Sequence, residues 1–220
     1  MRKILLSIFL LIMCLAANAQ NAGLGRIWNK GYYYDNSGKK VSGFLADYSH
    51  NVNLFHPDDD YFLFSTVDDT AYNSTKSVKV FSKDIRSFVA GKDSFVVSNF
   101  DKIKKTPFLA VLVNNDLKLY AVEIWRGTAA SSFGLIGFAA TAATNSVLVM
   151  DYTYYYGTDP DNLTKLTHKE FMDVMSKVLA DKPNVVAKIQ DKTYRYSDMK
   201  ELLTYYRTGK ETDSNGKVKD

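Results

Sequence analysis

The residues able to do chemistry are few and scattered. Three histidines occur, His50, His56 and His168, and the one cysteine is Cys14. Metal binding needs His and carboxylates in a fixed ligand register. The densest group is His50, His56 and Asp58-Asp59-Asp60, within which His56, Asp58 and Asp60 are weak metal candidates. The run His56-Pro57-Asp58-Asp59-Asp60 reads more simply as a solvated turn, where Pro and Asp supply the geometry. Glu211, Asp213, Asn215 and Gly216 mimic the start of a calcium loop, but its twelfth position would fall beyond Asp220. No metal is therefore expected. Nucleophilic hydrolysis needs a Ser, Cys or Thr beside a base, and no G-x-S-x-G elbow is present. Gly23-x-Gly25 is not preceded by a strand, so it makes no phosphate cradle, and no cofactor is expected. Asp47, Asp68, Asp69 and Glu123 could form a hydrolytic carboxylate pair by type alone. Asp93 and Asp116 read as hairpin-turn residues. No catalytic residue is assigned.

Fifteen tyrosines are the other chemical signal, clustered at Tyr32-Tyr33-Tyr34, Tyr154-Tyr155-Tyr156 and Tyr205-Tyr206. On a strand the outer members of each triplet share one face and the central one takes the other. Such rings stabilise a sheet by cross-strand pairing. They also make a platform for a glycan or peptide. Tyr32, Tyr34, Tyr154 and Tyr156, with Phe133, Ile136 and Phe138, form the candidate partner surface.

Strands must position these residues. Two β-rich runs, RIWNKGYYY and KKVSGFLADY, flank Asp35-Asn36-Ser37-Gly38 and signal a hairpin. Further strand candidates are Asn51 to Phe55, Tyr61 to Thr66, Ser77 to Phe81, Ile85 to Val89, Ser94 to Asn99, Phe108 to Val113, Leu117 to Trp125 and Val147 to Tyr156. Ala90-Gly91-Lys92-Asp93 and Asn114-Asn115-Asp116 mark two more hairpins. No helical period intervenes, so an antiparallel sheet, a sandwich or a partly open barrel, is expected.

After Asp159-Pro160 the period changes to helical. Thr167 and Glu170 form a capping box, with Leu166 and Phe171 as the hydrophobic staple. Phe171, Val174, Met175, Val178 and Leu179 make one apolar face. Asp181 is expected to cap a second helix with Pro183 in its first turn. Ser197 is expected to cap a third, bearing Met199, Leu202, Leu203 and Tyr206, which Gly209 stops. The fold class is α+β, a mainly antiparallel sheet followed by three short helices packed on it. The expected organisation is a leader (1–19), a β-rich domain (20–160), a helical region (161–209) and a frayed polar tail (210–220).

The leader reading rests on Arg2 and Lys3, the apolar stretch Ile4 to Ala16, and the small-x-small triplet Ala17-Asn18-Ala19. These predict export with cleavage after Ala19. A lipoprotein acylated at Cys14 fits less well, because Met13 stands where a small residue is expected. Cleavage takes Lys plus Arg from 28 to 26 against 24 Asp plus Glu, leaving a net charge of +2. That is no nucleic-acid footprint. Cys14 leaves too, and a thiol-free chain suits an oxidising compartment.

Gly127 to Met150, GTAASSFGLIGFAATAATNSVLVM, carries no charge. Its length suits a membrane span. Its many Ala, Ser, Thr and Gly residues give little insertion energy, and Asp151, Asp159 and Asp161 follow where a basic flank belongs. A long small-residue loop is the favoured reading, with membrane contact second.

KGYYYDNSGKKVSGFL (Lys30 to Leu45) resembles the opening of uncharacterised exported proteins of Bacteroidota-type bacteria. KEFMDVMSKVLADKPNVVAKIQDKTYRYSDMKELLTYY (Lys169 to Tyr206) is similar to their ending, and DIRSF (Asp84 to Phe88) with LKLY (Leu117 to Tyr120) to their middle. The resemblance implies a cell-envelope location, periplasmic or surface-exposed, and a β-rich domain closed by helices. It carries no activity. The expected function is a binding or structural module of the envelope rather than an enzyme, its partner an envelope protein or a glycan. The alternatives are a glycan-processing or other hydrolase with dispersed carboxylates, and a membrane-associated protein using 127–150.

Overall fold

The computed structural model describes residues 28–48, 50–51, 60–67, 77–103, 107–126, 149–213 and 218 of the chain. The expected leader, Cys14, His56, Asp58, Phe133, Ile136 and Phe138 lie outside the described residues.

Among the described residues, alternating apolar runs give eleven strands. They are β1 (Asn29–Asp35), β2 (Lys40–Ala46), β3 (His50–Asn51), β4 (Tyr61–Ser65), β5 (Val78–Phe81), β6 (Ile85–Ala90), β7 (Asp93–Val97), β8 (Phe108–Val113), β9 (Lys118–Arg126), β10 (Val149–Asp159) and β11 (Asn162–Lys165). Ten of them form one open sheet in the order β11-β10-β9-β8-β7-β6-β1-β2-β4-β5. Every neighbouring pair along it is antiparallel. Only β3 departs, pairing parallel with β9 through His50 and Asn51.

The sheet curls over its inner face. Five strand spacings separate β4 from β8, about 24 Å in a flat sheet. The rings of Phe62 on β4 and Phe108 on β8 are nevertheless 6.0 Å apart. Phe88 packs between them, 4.8 Å from Phe62 and 5.2 Å from Phe108. Two glycines facing each other in the β1–β2 ladder, Gly31 and Gly43, make room for this. A Cβ on Gly31 would overlap the Val89 carbonyl, and one on Gly43 would come within 2.6 Å of the Phe64 ring.

Right-handed twist also draws remote parts of the sheet together. After β2, Asp47 turns the chain in the left-handed region (φ 57°). Tyr48 then lies on Phe88 and Phe95, and β3 reaches β9. Elsewhere the end of β7 meets the β10–β11 turn. The buried Ser98 Oγ donates to the Pro160 carbonyl at 2.6 Å, and the Asn99 N–H donates to Asp161 Oδ1 at 2.6 Å. A second, smaller core of Ile103, Leu109, Tyr120, Val122, Tyr155 and Leu163 fills the outer face of the β8–β11 half.

Three helices follow: α1 (Phe171–Val178), α2 (Pro183–Gln190) and α3 (Met199–Thr208). Their apolar faces join the main core with the inner face of the sheet. This gives the α+β class: a mostly antiparallel open sheet followed by C-terminal helices. The expected capping box is not formed: Glu170, not Thr167, stands at the N-cap of α1 and makes no side-chain cap bond, while Thr167 Oγ1 donates to the Glu170 carboxylate at 2.7 Å. The Glu170 N–H reaches back to Thr167 Oγ1 at 3.4 Å.

Several expectations are corrected. Lys182, not Asp181, stands at the N-cap of α2, because Pro183 occupies its first position. The Asp181 carboxylate instead accepts from Asn115 and Tyr206. Ser197 does not cap α3, since a 3-10 turn over Tyr196–Asp198 precedes it and Asp198 accepts from the Arg195 N–H at 2.9 Å. Gly209 stops α3 as expected, with φ 70° and its N–H on Tyr205 O at 2.8 Å. Strand β11 falls within the stretch read as helical. The start of the tail is anchored rather than frayed, because Glu211 pairs with Lys188 at 2.5 Å and Thr212 is buried and bridged to Val218.

Candidate ligand-binding groove

A groove of about 450 Å³ opens where three turns meet. It is lined by Asn36 of the β1–β2 turn, Ser82 and Lys83 of the 3-10 turn before β6, Ile85, Arg86 and Ser87 of β6, Val96, Val97 and Asn99, and Pro160 of the β10–β11 turn. A bulge aims Arg86 there. Tyr34 pairs with Ser87 while Asp35 pairs with Ile85, so Arg86 is the extra residue of β6. Bulges re-aim side chains in this way.

The turns are fastened by their own polar groups. The Arg86 guanidinium donates to the Asn36 carbonyl. Asn36 Nδ2 donates to the Lys83 carbonyl at 2.7 Å, and the Asn36 N–H to the Asp84 carbonyl at 3.3 Å. Two nearby carboxylates, Asp35 and Asp161, are taken by neutral donors. Asp35 accepts from the Ser37 hydroxyl at 2.6 Å and from the Ser37 and Lys39 N–H groups, which holds its carboxyl below the ordinary aspartate value. Asp161 accepts from the N–H and the amide of Asn99. Among the described residues no carboxylate pairs with Lys83 or Arg86.

The groove continues onto an aromatic pair. Tyr34 pairs with the groove residue Ser87 across the ladder, and Tyr32 with Val89. The rings of Tyr32 and Tyr34 meet edge-on at 5.6 Å, and the Lys40 ammonium sits 3.6 Å above the Tyr32 ring. Tyr33 points the other way, onto Phe62 and Phe64.

The second tyrosine triplet lies elsewhere. Tyr154 and Tyr156 belong to the inner core and Tyr155 to the outer one. The four described members of the expected partner surface are therefore not gathered on one face. Tyr154 continues a row of rings on the inner side. Tyr152 stacks on it at 6.1 Å, Tyr196 meets it edge-on at 5.9 Å, and His168 lies 4.0 Å from Tyr196.

Two carboxylates, the candidate Glu123 and the hairpin-turn residue Asp93, come near that row. Burial pushes the Tyr48 hydroxyl up to about 12, with the charges of Glu123 and Asp93 adding to it. The same two carboxylates raise Tyr152, after burial, while Arg207 opposes them. Glu123 and Tyr152 are direct ladder partners. Asp60 stands just before β4. Among the described residues no group of three or more His, Cys, Asp or Glu could hold a metal ion. No helix among them is long and apolar enough to cross a membrane.

Lys83 and Arg86 were not singled out from sequence. The available signal was in the apolar spacing: Ile85, Phe88 and Ala90 all face the main core, a step of three that breaks the two-residue strand period. The chain matches no protein-family model, no curated protein and no solved structure.

Proposed function

We propose that the protein is an exported binding module of the cell envelope, and that its ligand is a glycan held on the outer face of the sheet. The observation that carries this is the groove at Lys83 and Arg86 running onto the Tyr32–Tyr34 pair. Aromatic faces suit the apolar side of a sugar ring, and amide, hydroxyl and cationic donors suit its oxygens. The groove lining holds Lys, Arg, Asn and Ser but neither carboxylate nor imidazole. Such a set supplies hydrogen-bond donors for sugar oxygens and lacks the carboxylate and imidazole groups that most often serve as general acid and base. In this reading the curled sheet is a partly open barrel, supported by the Phe62–Phe108 contact.

The leader would be removed after Ala19, leaving a protein that begins at Gln20 in the periplasm or on the cell surface. Mass spectrometry of the exported protein checks the cleavage site. For the ligand, the mature chain is tested for retention on immobilised envelope polysaccharide. Retention that falls at least tenfold in Tyr32→Ala/Tyr34→Ala, with the fold intact by circular dichroism, is the expected result. Equal retention by that variant would overturn the assignment.

A second reading, a hydrolase with dispersed carboxylates, has its own observation. The charges of Glu123 and Asp93 both raise Tyr48 and Tyr152, and Glu123 is the ladder partner of Tyr152, so two carboxylates lie near one stretch of the inner face. Hydrolysis of an aryl glycoside that is lost in Glu123→Gln would favour it over the binding module.

A further inference from the structure

We propose that the groove seats the anionic group of a charged sugar, a carboxylate or phosphate borne on a hexose ring, between Lys83 and Arg86. This rests on the glycan-binding reading above and narrows its ligand.

The argument is one of charge and donors. Lys83 and Arg86 are the charged residues of the lining, and both are cationic. Among the described residues neither is paired with a carboxylate. Asp35 and Asp161 are already occupied, by Ser37 and Lys39 and by Asn99, and Asp84, between the two cations in the chain, makes no ion pair with either. A neutral sugar would leave two desolvating cations without counter-charge, whereas an oxyanion satisfies them with charge-assisted hydrogen bonds. A guanidinium carries five N–H donors in a rigid fork. One is engaged by the Asn36 carbonyl, which fixes the plane of the group before a ligand arrives. Ser82, Ser87 and Asn99 add neutral donors around it, and Val96, Val97 and Pro160 give an apolar wall. The Tyr32–Tyr34 pair begins one ladder position away, and Tyr34 offers the ring a stacking surface beside Tyr32, over which Lys40 already sits.

The test is an NMR titration of the mature protein with glucose, glucuronate, glucose 6-phosphate and inorganic phosphate. The backbone amides of Asn36, Lys83, Arg86, Ser87 and Asn99 are followed. Both charged sugars are expected to shift these amides, and to bind about tenfold or more tighter than glucose or inorganic phosphate. The comparison of glucuronate with glucose 6-phosphate tells which oxyanion is preferred. Lys83→Gln is the leading variant, because the backbone carbonyl of Lys83, not its exposed side chain, fastens the turn. It should weaken the charged sugars severalfold more than it weakens glucose. Arg86→Lys keeps the charge and loses the fork, and should weaken them as well.

Glucose binding as tightly as the charged sugars, or Lys83→Gln binding them unchanged, overturns the anionic assignment and leaves the aromatic platform standing. Inorganic phosphate binding as tightly as glucose 6-phosphate overturns the part played by the ring. If no sugar shifts these amides, the anionic assignment and the outer-face reading fall together.

Discussion

Tyr48 shows how one side chain ties together parts of the chain that sequence alone leaves apart. Its ring lies on Phe88 and Phe95, and its hydroxyl accepts from Asn29 Nδ2 at 3.0 Å. Its pKa stands at about 12 in the folded protein, against the ordinary 10.0. Below pH 10 both folded and unfolded chains hold the proton. Between about 10 and 12 the unfolded chain releases it and the folded one does not. The unfolded state then binds fewer protons, so stability falls as pH rises through that window. Tyr120, also raised to about 12, contributes in the same direction. Tyr48→Phe should lose about 0.5–1.5 kcal/mol at pH 7 with its hydrogen bond. It should also lose less than the parent between pH 9 and 11.5. Urea midpoints at the two pH values measure this, and an undiminished alkaline loss would count against the assignment. None of it was legible beforehand, because the run KKVSGFLADY reads as one strand through Tyr48, whereas β2 ends at Ala46 and Asp47 turns the chain away.

At the scale of elements, the sequence was most readable where one physical rule acts alone. Turn residues located the hairpins, and Gly91 (φ 63°) and Gly38 (φ 87°) take the left-handed backbone such turns need. The helix faces emerged from their 3.6-residue spacing. Strand β11 was hidden because Asn162-Leu163-Thr164-Lys165 buries only Leu163. The caps at Asp181 and Ser197 were misread because a proline and a 3-10 turn moved the helix starts. What holds the helices on the sheet was equally hidden. The two N–H groups of Asn115 Nδ2 are shared among the Val178 carbonyl at 2.9 Å, Asp181 at 2.7 Å and the Tyr206 hydroxyl at 3.2 Å. Tyr206 in turn donates to Asp181 at 2.9 Å. One amide in the β8–β9 turn thus fastens the end of α1, the link to α2, and α3. Asn115→Ala should cost about 1–3 kcal/mol by leaving these acceptors short of a donor. In a chain of this size that is a fall of several degrees in Tm, readable by thermal circular dichroism. An unchanged Tm would mean that apolar packing alone holds the helices.

For the molecule as a whole, twist determines which distant segments become neighbours. The groove is assembled from turns about 50 and 60 residues apart in sequence, so no local window of sequence could display it. The same holds for the contact of Ser98 and Asn99 with the β10–β11 turn. Ser98 Oγ donates to Pro160 and accepts from the Phe100 N–H at 3.1 Å. Ser98→Ala should therefore loosen this corner as a unit. Native-state hydrogen exchange should show β11 and Asp101–Ile103 losing protection together while α1 to α3 keep theirs. Loss spread evenly over the molecule would show that the corner is not a separate cooperative piece.

The last rung of the β9–β10 ladder, Arg126 opposite Val149, has a consequence for how such a protein can diverge. Its two strands stand about 5 Å apart there, whatever number of residues joins them. Doubling a connection adds only about 0.6 kcal/mol of closure entropy. On closure entropy alone, a longer connection between Arg126 and Val149 would thus cost the ladder little. The Arg126–Val149 rung is a natural graft point, where new recognition could be acquired while the groove keeps its form.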